Sequence, residues 1–200
     1  MMRPFRMIGT LVLIALGTAA CTPIGAAVGA AATAGTVAAQ ERSTEKAISD
    51  SQIVLGINES LFQYDIETFR KVSVTSHEGR VLLNGVVKTE EARGQAVRLS
   101  WQVAGVREVI NELEVNTSGD LLDSANDVWI STQLRSKLLF DGEVTSVNYA
   151  VNTTNANVYL LGIGQNQEEV NRVIAHARDV PYVRRVVSYV VLKDDPSRLQ

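Results

Sequence analysis

The feature that most constrains this chain is that it repeats itself, because self-similarity at a fixed period decides an architecture before any single element is read. A displacement of 77 positions aligns two segments without a gap. Ile53, Ile57 and Leu61 fall on Ile130, Leu134 and Leu138; Val74 falls on Val151. Val81, Leu83 and Gly85 fall on Val158, Leu160 and Gly162, and Val106, Val109 and Val115 on Val183, Val186 and Leu192. Every matched set keeps its apolar phase, so both segments are expected to share one fold.

Periodicity then gives the order of elements within a copy. Ile53, Ile57 and Leu61 recur every fourth residue, the stripe of an amphipathic helix, with Asp50 or Ser51 available as its N-cap. Val72 and Val74, then Val81 and Leu83, alternate as two strands about the turn-forming Ser76-His77-Glu78-Gly79, which predicts a hairpin; the second copy turns over Thr153 to Asn157. Thr89 opens a second helix with Glu90 and Glu91 in its first turn, Ala96, Val97 and Val103 on its inward face and Gly105 at its end. A last strand passes through Val109, Leu113 and Val115. The expected fold class is α+β: two tandem α-β-β-α-β units, each with two helices packed on a small three-stranded mixed sheet. Units of about 70 residues are marginal alone, so the two are expected to pack together.

The first forty residues differ from the rest. Arg3 and Arg6 precede an apolar run, Ile8 to Leu16, of signal-peptide length and too short to span a bilayer. Thr18, Ala19 and Ala20 lead into Cys21, the only cysteine, so no disulfide forms within one chain. Thr-Ala-Ala-Cys resembles the bacterial lipobox, which implies a covalent lipid on Cys21 and no other cofactor. A signal removed with Cys21 incidental, or a buried small cysteine, are the alternatives. Acyl chains contribute about 0.8 kcal/mol per buried CH₂, enough for durable anchoring without a transmembrane helix. Residues 22–39 are almost wholly Ala, Gly, Thr and Val and read as a tether, with the Gly25/Gly29 spacing leaving helix packing open. The divisions are thus 1–20 signal, 21–46 lipidated cysteine and tether, 47–117 first unit, 118–124 linker, 125–194 second unit and 195–200 tail.

With these residues in place, the chain resembles a known family. The helix, the Val-x-Leu-x-Gly strand, the Glu-bearing second helix and Gly105-Val106-Arg107-Glu108-Val109 resemble the BON domain of bacterial periplasmic and outer-membrane proteins, in both copies. The second copy departs where Pro181-Tyr182 replaces Ala104-Gly105. A lipobox, a small-residue tether and two BON copies together resemble the dual-BON outer-membrane lipoproteins. That resemblance implies a lipid-anchored protein of the outer membrane facing the periplasm, envelope integrity as its role, and anionic phospholipid as its partner.

The repeat also acts as an internal control for function. Trp129 and Phe140 lie eleven residues apart on the first helix of copy two, so about 20° apart around it, and about 140° from the Ile130, Leu134, Leu138 stripe. Their counterparts are Gln52 and Gln63, and Gln133 and Ser136 between them match Gly56 and Glu59. Arg135 and Lys137 add positive charge where copy one has Asn58 and Ser60. Outward aromatics with nearby cations suit an interfacial lipid contact, making Trp129, Gln133, Arg135, Ser136, Lys137 and Phe140 the candidate site. Coverage of the aromatics by the other copy or by the linker is the competing reading, and a periplasmic protein partner involved in cell-wall or envelope maintenance is the competing function.

Other chemistries find little support. Loss of Arg3 and Arg6 with the signal takes 19 basic residues to 17 against 22 acidic ones, a formal charge of −5, with no dense basic face for nucleic acid. His77 reads as a solvated turn residue and His176 as a helix residue of mixed exposure, so no metal site is expected. Glu90-Glu91 and Glu168-Glu169 recur across the copies but suit the first turns of helices better than acid–base chemistry, and no catalytic residues are assigned. Trp101, aligned with Arg178, reads as a packing residue or an interface cap.

Overall fold

A computed structural model of the protein describes residues 44–116 and 124–199. The signal, Cys21 and the tether up to residue 43, and residues 118–123 of the linker, lie outside the described residues. The first unit comprises α1 (Thr44–Tyr64), α2 (Ile66–Lys71), β1 (Val72–His77), β2 (Arg80–Val87), α3 (Glu90–Trp101) and β3 (Glu108–Val115). The second comprises α4 (Ser124–Phe140), β4 (Tyr149–Thr154), β5 (Asn157–Gly164), α5 (Gln167–Arg178) and β6 (Arg185–Leu192), with short 3₁₀ turns at Ser146–Asn148 and Pro196–Leu199. The expected order holds in both copies; α2, a short helix capped by Asp65, is particular to the first and stands where the second has a loop and the 3₁₀ turn Ser146–Asn148.

Each sheet has its second strand in the centre. β1 pairs antiparallel with β2 through a two-residue turn, whereas β3 returns parallel to β2 because α3 crosses over between them. Copy two repeats this with β4, β5 and β6. The Val-x-Leu-x-Gly pattern has a steric cause. A Cβ on Gly85 would sit 2.0 Å from the Lys71 carbonyl oxygen, and one on Gly162 2.0 Å from that of Asn148, at φ of +129° and +155°. Val81, Leu83 and Val87 face the helices with Ile53, Ile57 and Leu61; Val158 and Leu160 do the same with Ile130, Leu134 and Leu138.

The opposite faces of the two sheets meet. Leu82 and Ile110 of the first copy pack against Tyr159 and Leu161 of the second, all buried, so the molecule has four layers: helices, sheet, sheet, helices. Around this apolar centre, Thr75 accepts from the Asn152 amide at 3.1 Å, Asn84 donates to Thr154 at 3.0 Å, and the Tyr189 hydroxyl donates to Glu112. Thr75 and Asn152 are counterparts in the repeat, as are Glu112 and Tyr189. Residues that meet their own counterparts mark an approximate twofold axis. The C-terminal turn reaches back to the first copy, where Arg198 donates to both carboxylate oxygens of buried Glu78 at 2.9 and 3.0 Å.

Four sequence expectations are corrected. Asp50 does not cap α1, which begins six residues earlier; its carboxylate, 3% exposed, accepts from the Ser76 hydroxyl (2.6 Å) and from the Glu78 and Gly79 amides (2.8 Å each). His77 is buried, because the turn contracts to Glu78-Gly79 and leaves it in β1. Trp101 is neither packed nor a cap but exposed at the end of α3. The acidic pairs recur only in part: Thr89 and Asn166 are the matched N-caps, so Glu91 falls on Glu168 while Glu169 stands opposite Ala92. Glu169 is buried, accepting from the Thr145 amide at 2.6 Å and the Gln165 amide at 2.5 Å. Burial, with that carboxylate beside it, pushes the Tyr149 phenol well above its ordinary range.

Candidate membrane-contact site

The four-layer arrangement turns α4 outward, so the second copy's first helix is not covered by the first copy. Its inward stripe, Ile130, Leu134 and Leu138, is wholly buried. Trp129 is 39% and Phe140 86% exposed, and Gln133 and Ser136 lie exposed between them on the same face. Leu139 and Val128, also exposed, widen the apolar arc toward one flank of the helix. The centre of this face carries no charge.

The two cations stand on opposite flanks, and each has a partner. Lys137, 80° from Trp129 by helical geometry, pairs with Asp179 at the end of α5. The ammonium hydrogen bond and charge hold the Asp179 carboxyl below its ordinary range. Arg135, 120° to the other side, donates to the Val151 carbonyl of β4 and leaves its remaining N–H groups for other acceptors. The six residues singled out from sequence are therefore on one helix, four on the outward face and two at its edges.

Tyr182 joins them. Its ring meets Trp129 edge to face, with centroids 5.9 Å apart and planes at 65°, while the side chain remains 74% exposed. Its φ is +69°, at the position where the first copy has Gly105 at +91°. A left-handed conformation costs an aromatic residue about 1–2 kcal/mol that glycine avoids. The bulky residue thus stands at a glycine's place and extends the aromatic face across the adjoining loop. Sequence reasoning noted the departed loop but not this contact; the replacement of an aligned glycine by tyrosine was the available signal.

Asp141, the acceptor of His176 at 2.6 Å, is held low by that bond first and by the Glu143 amide and Arg172 after it, an arrangement that fastens α5 to the loop after α4. Among the described residues, no group of three or more His, Cys, Asp or Glu side chains is placed to hold a metal ion, and no helix is long and apolar enough to cross a membrane.

The family model described as the BON domain matches residues 49–117 and again 126–194, the two structural copies. The chain belongs to the BON-domain family. Among BON-family relatives, the outer membrane lipoprotein DolP of Haemophilus influenzae is 31% identical over 165 residues, covering 82% of this chain and 85% of its own. A protein of Anaplasma centrale described only as an uncharacterised protein in the gshII 5′ region is 41% identical over 152 residues, 76% of this chain and 99% of its own. The osmotically-inducible protein Y of Escherichia coli is 28% identical over 141 residues, 70% of each chain. Tandem BON units, their α+β class and the likeness to dual-BON lipoproteins are thus as the sequence implied.

Proposed function

We propose that this protein is a non-enzymatic envelope lipoprotein, anchored through Cys21 in the outer membrane on its periplasmic side, that binds anionic phospholipid through α4 and supports outer-membrane integrity. The observation that carries the reading is the outward face of α4 and its adjoining loop, where Trp129, Phe140 and Tyr182 expose aromatic surface at positions that the first copy fills with Gln52, Gln63 and Gly105. In this arrangement the indole lies at headgroup level, Phe140 enters the acyl boundary and the flanking Arg135 and Lys137 meet lipid phosphates. Similarity to the DolP lipoprotein supports the envelope setting.

Flotation of the fragment from Glu41 onward with vesicles tests the direct part. Trp129→Glu is expected to weaken binding to vesicles containing phosphatidylglycerol, with little change in thermal stability because the ring is partly exposed. Equal flotation, or a large loss of stability, would count against the lipid face. For the anchor, Cys21→Ser in the full chain is expected to abolish labelling by radioactive fatty acid, and persistent labelling would refute it.

A protein partner is the second reading. Phe62, Tyr64 and Ile66 of the first copy are exposed in one stretch at the junction of α1 and α2, an apolar surface outside the α4 face. Affinity capture that recovers a defined protein while flotation fails would favour it.

A further inference from the structure

A groove of 510 Å³ runs between the two copies on the flank of α4 away from Lys137. The first copy contributes Arg70, Lys71 and Asn84 to its wall, the second Ser131, Arg135 and Thr154. Three cations thus line one concavity in a chain whose formal charge is −3, the sort of focused potential that selects an anion. One carboxylate, Asp127, also lines it, but both its oxygens are taken by the Asn155 and Ala156 amides at 2.8 and 2.7 Å.

Cations in the last turn of α2 also offset that helix's dipole, which accounts for Arg70 and Lys71 alone. It accounts neither for Arg135, which arrives from the other copy, nor for Asn84. Asn84 is 3% exposed and donates to Thr154 at 3.0 Å, yet its Oδ1 has no hydrogen-bond partner among the described residues. Its counterpart is Leu161, buried in the contact between the sheets, so the fold accepts an apolar residue at this register. A buried polar atom without a partner costs about 1–3 kcal/mol, and a ligand that satisfies it recovers that cost.

We propose that this groove binds a phosphoryl group, carried by a small phosphate ester or by a phospholipid headgroup. Either source offers anionic oxygens to Arg70, Lys71 and Arg135; the donor to Asn84 is the residual P–OH of a phosphate monoester, whose second pKa is about 6, or, since a phosphodiester carries no P–OH, a headgroup alcohol such as a glycerol hydroxyl. A carboxylate supplies the first and not the second. The groove shares Val128 and Arg135 with one flank of α4, whereas Trp129, Phe140 and Tyr182 do not line it, so loss of lipid binding at those aromatics and loss of phosphate binding here are distinguishable.

The test uses the full chain in dodecyl maltoside micelles, titrated with inorganic phosphate at constant ionic strength while the Asn84 side-chain amide resonances and the unfolding midpoint are followed. Phosphate is expected to shift those resonances saturably and raise the midpoint, and chloride to do neither. Arg70→Gln with Lys71→Gln, both exposed side chains, is expected to weaken phosphate at least tenfold, and Trp129→Glu to leave it unchanged. Saturation by glycerol phosphate supports a soluble ester, and saturation by phosphatidylglycerol alone supports a headgroup. A response to chloride equal to that to phosphate, no saturation by any of the three, or full affinity in the double variant would overturn the proposal.

Discussion

Asp50 lies inside a helix but its carboxylate serves a turn 28 residues further on. The hairpin turns of both copies place two successive residues at positive φ, Glu78-Gly79 at 53° and 76° and Asn155-Ala156 at 50° and 61°. Three of those four are not glycine, in a conformation that disfavours side chains. What offsets the strain is a carboxylate from the first helix of each copy, accepting both turn amides: Asp50 in the first copy and Asp127, its counterpart at the 77-residue offset, in the second. The match was visible in the sequence, but an acidic residue just ahead of an apolar stripe reads as an N-cap, and the partner amides are distant along the chain. Asp50→Ala strips acceptors from two buried amides and a hydroxyl, and is expected to cost about 2–4 kcal/mol by chemical denaturation. Asp127→Ala, with two donors and a half-buried site, is expected to cost less; equal and negligible losses would show that the turns hold without them.

At the scale of elements, what the sequence shows is what the apolar phase records. Helix and strand order was legible because Ile53, Ile57 and Leu61, or Val81 and Leu83, each mark one buried face of one element. Phase also put Trp129 and Phe140 opposite the core of α4, where they are. It carries no record of a side chain's partner, so the pairing of Lys137 with Asp179 and of Arg135 with Val151 was not to be read there. Both alter how α4 meets a charged surface. A lysine beside an anionic bilayer contributes about 1 kcal/mol, and an adjacent carboxylate opposes that attraction. Asp179→Asn is therefore expected to tighten binding to phosphatidylglycerol vesicles roughly fivefold at low salt, with the gain fading as salt screens the surface. An unchanged vesicle affinity would remove Lys137 from the contact.

For the molecule as a whole, the decisive surface is the contact between sheets. The run Val158-Tyr159-Leu160-Leu161, apolar at every position, is the pattern of a strand buried on both faces, and it was the available sign that the second sheet has a partner. Tyr189 at the rim of this contact reports on its integrity. Burial first, and then its hydrogen bond to Glu112, push its phenol up to about 12 from an ordinary 10.0. The folded protein then holds the proton where the unfolded chain releases it, so this contribution is intact below pH 10 and is lost as pH rises to about 12. Tyr159 is shifted the same way and Tyr149 as well, so the native chain's slope is shared and only a difference isolates Tyr189. Tyr189→Phe removes the titrating group while keeping the ring against the other sheet. Its unfolding midpoint is expected to lie below that of the native chain at pH 8, because Glu112 loses its donor, and to fall less steeply between pH 10 and 12. Parallel pH profiles would mean that the hydroxyl is as free to ionise in the folded molecule as in the unfolded one, and that the two copies are not held together at this edge.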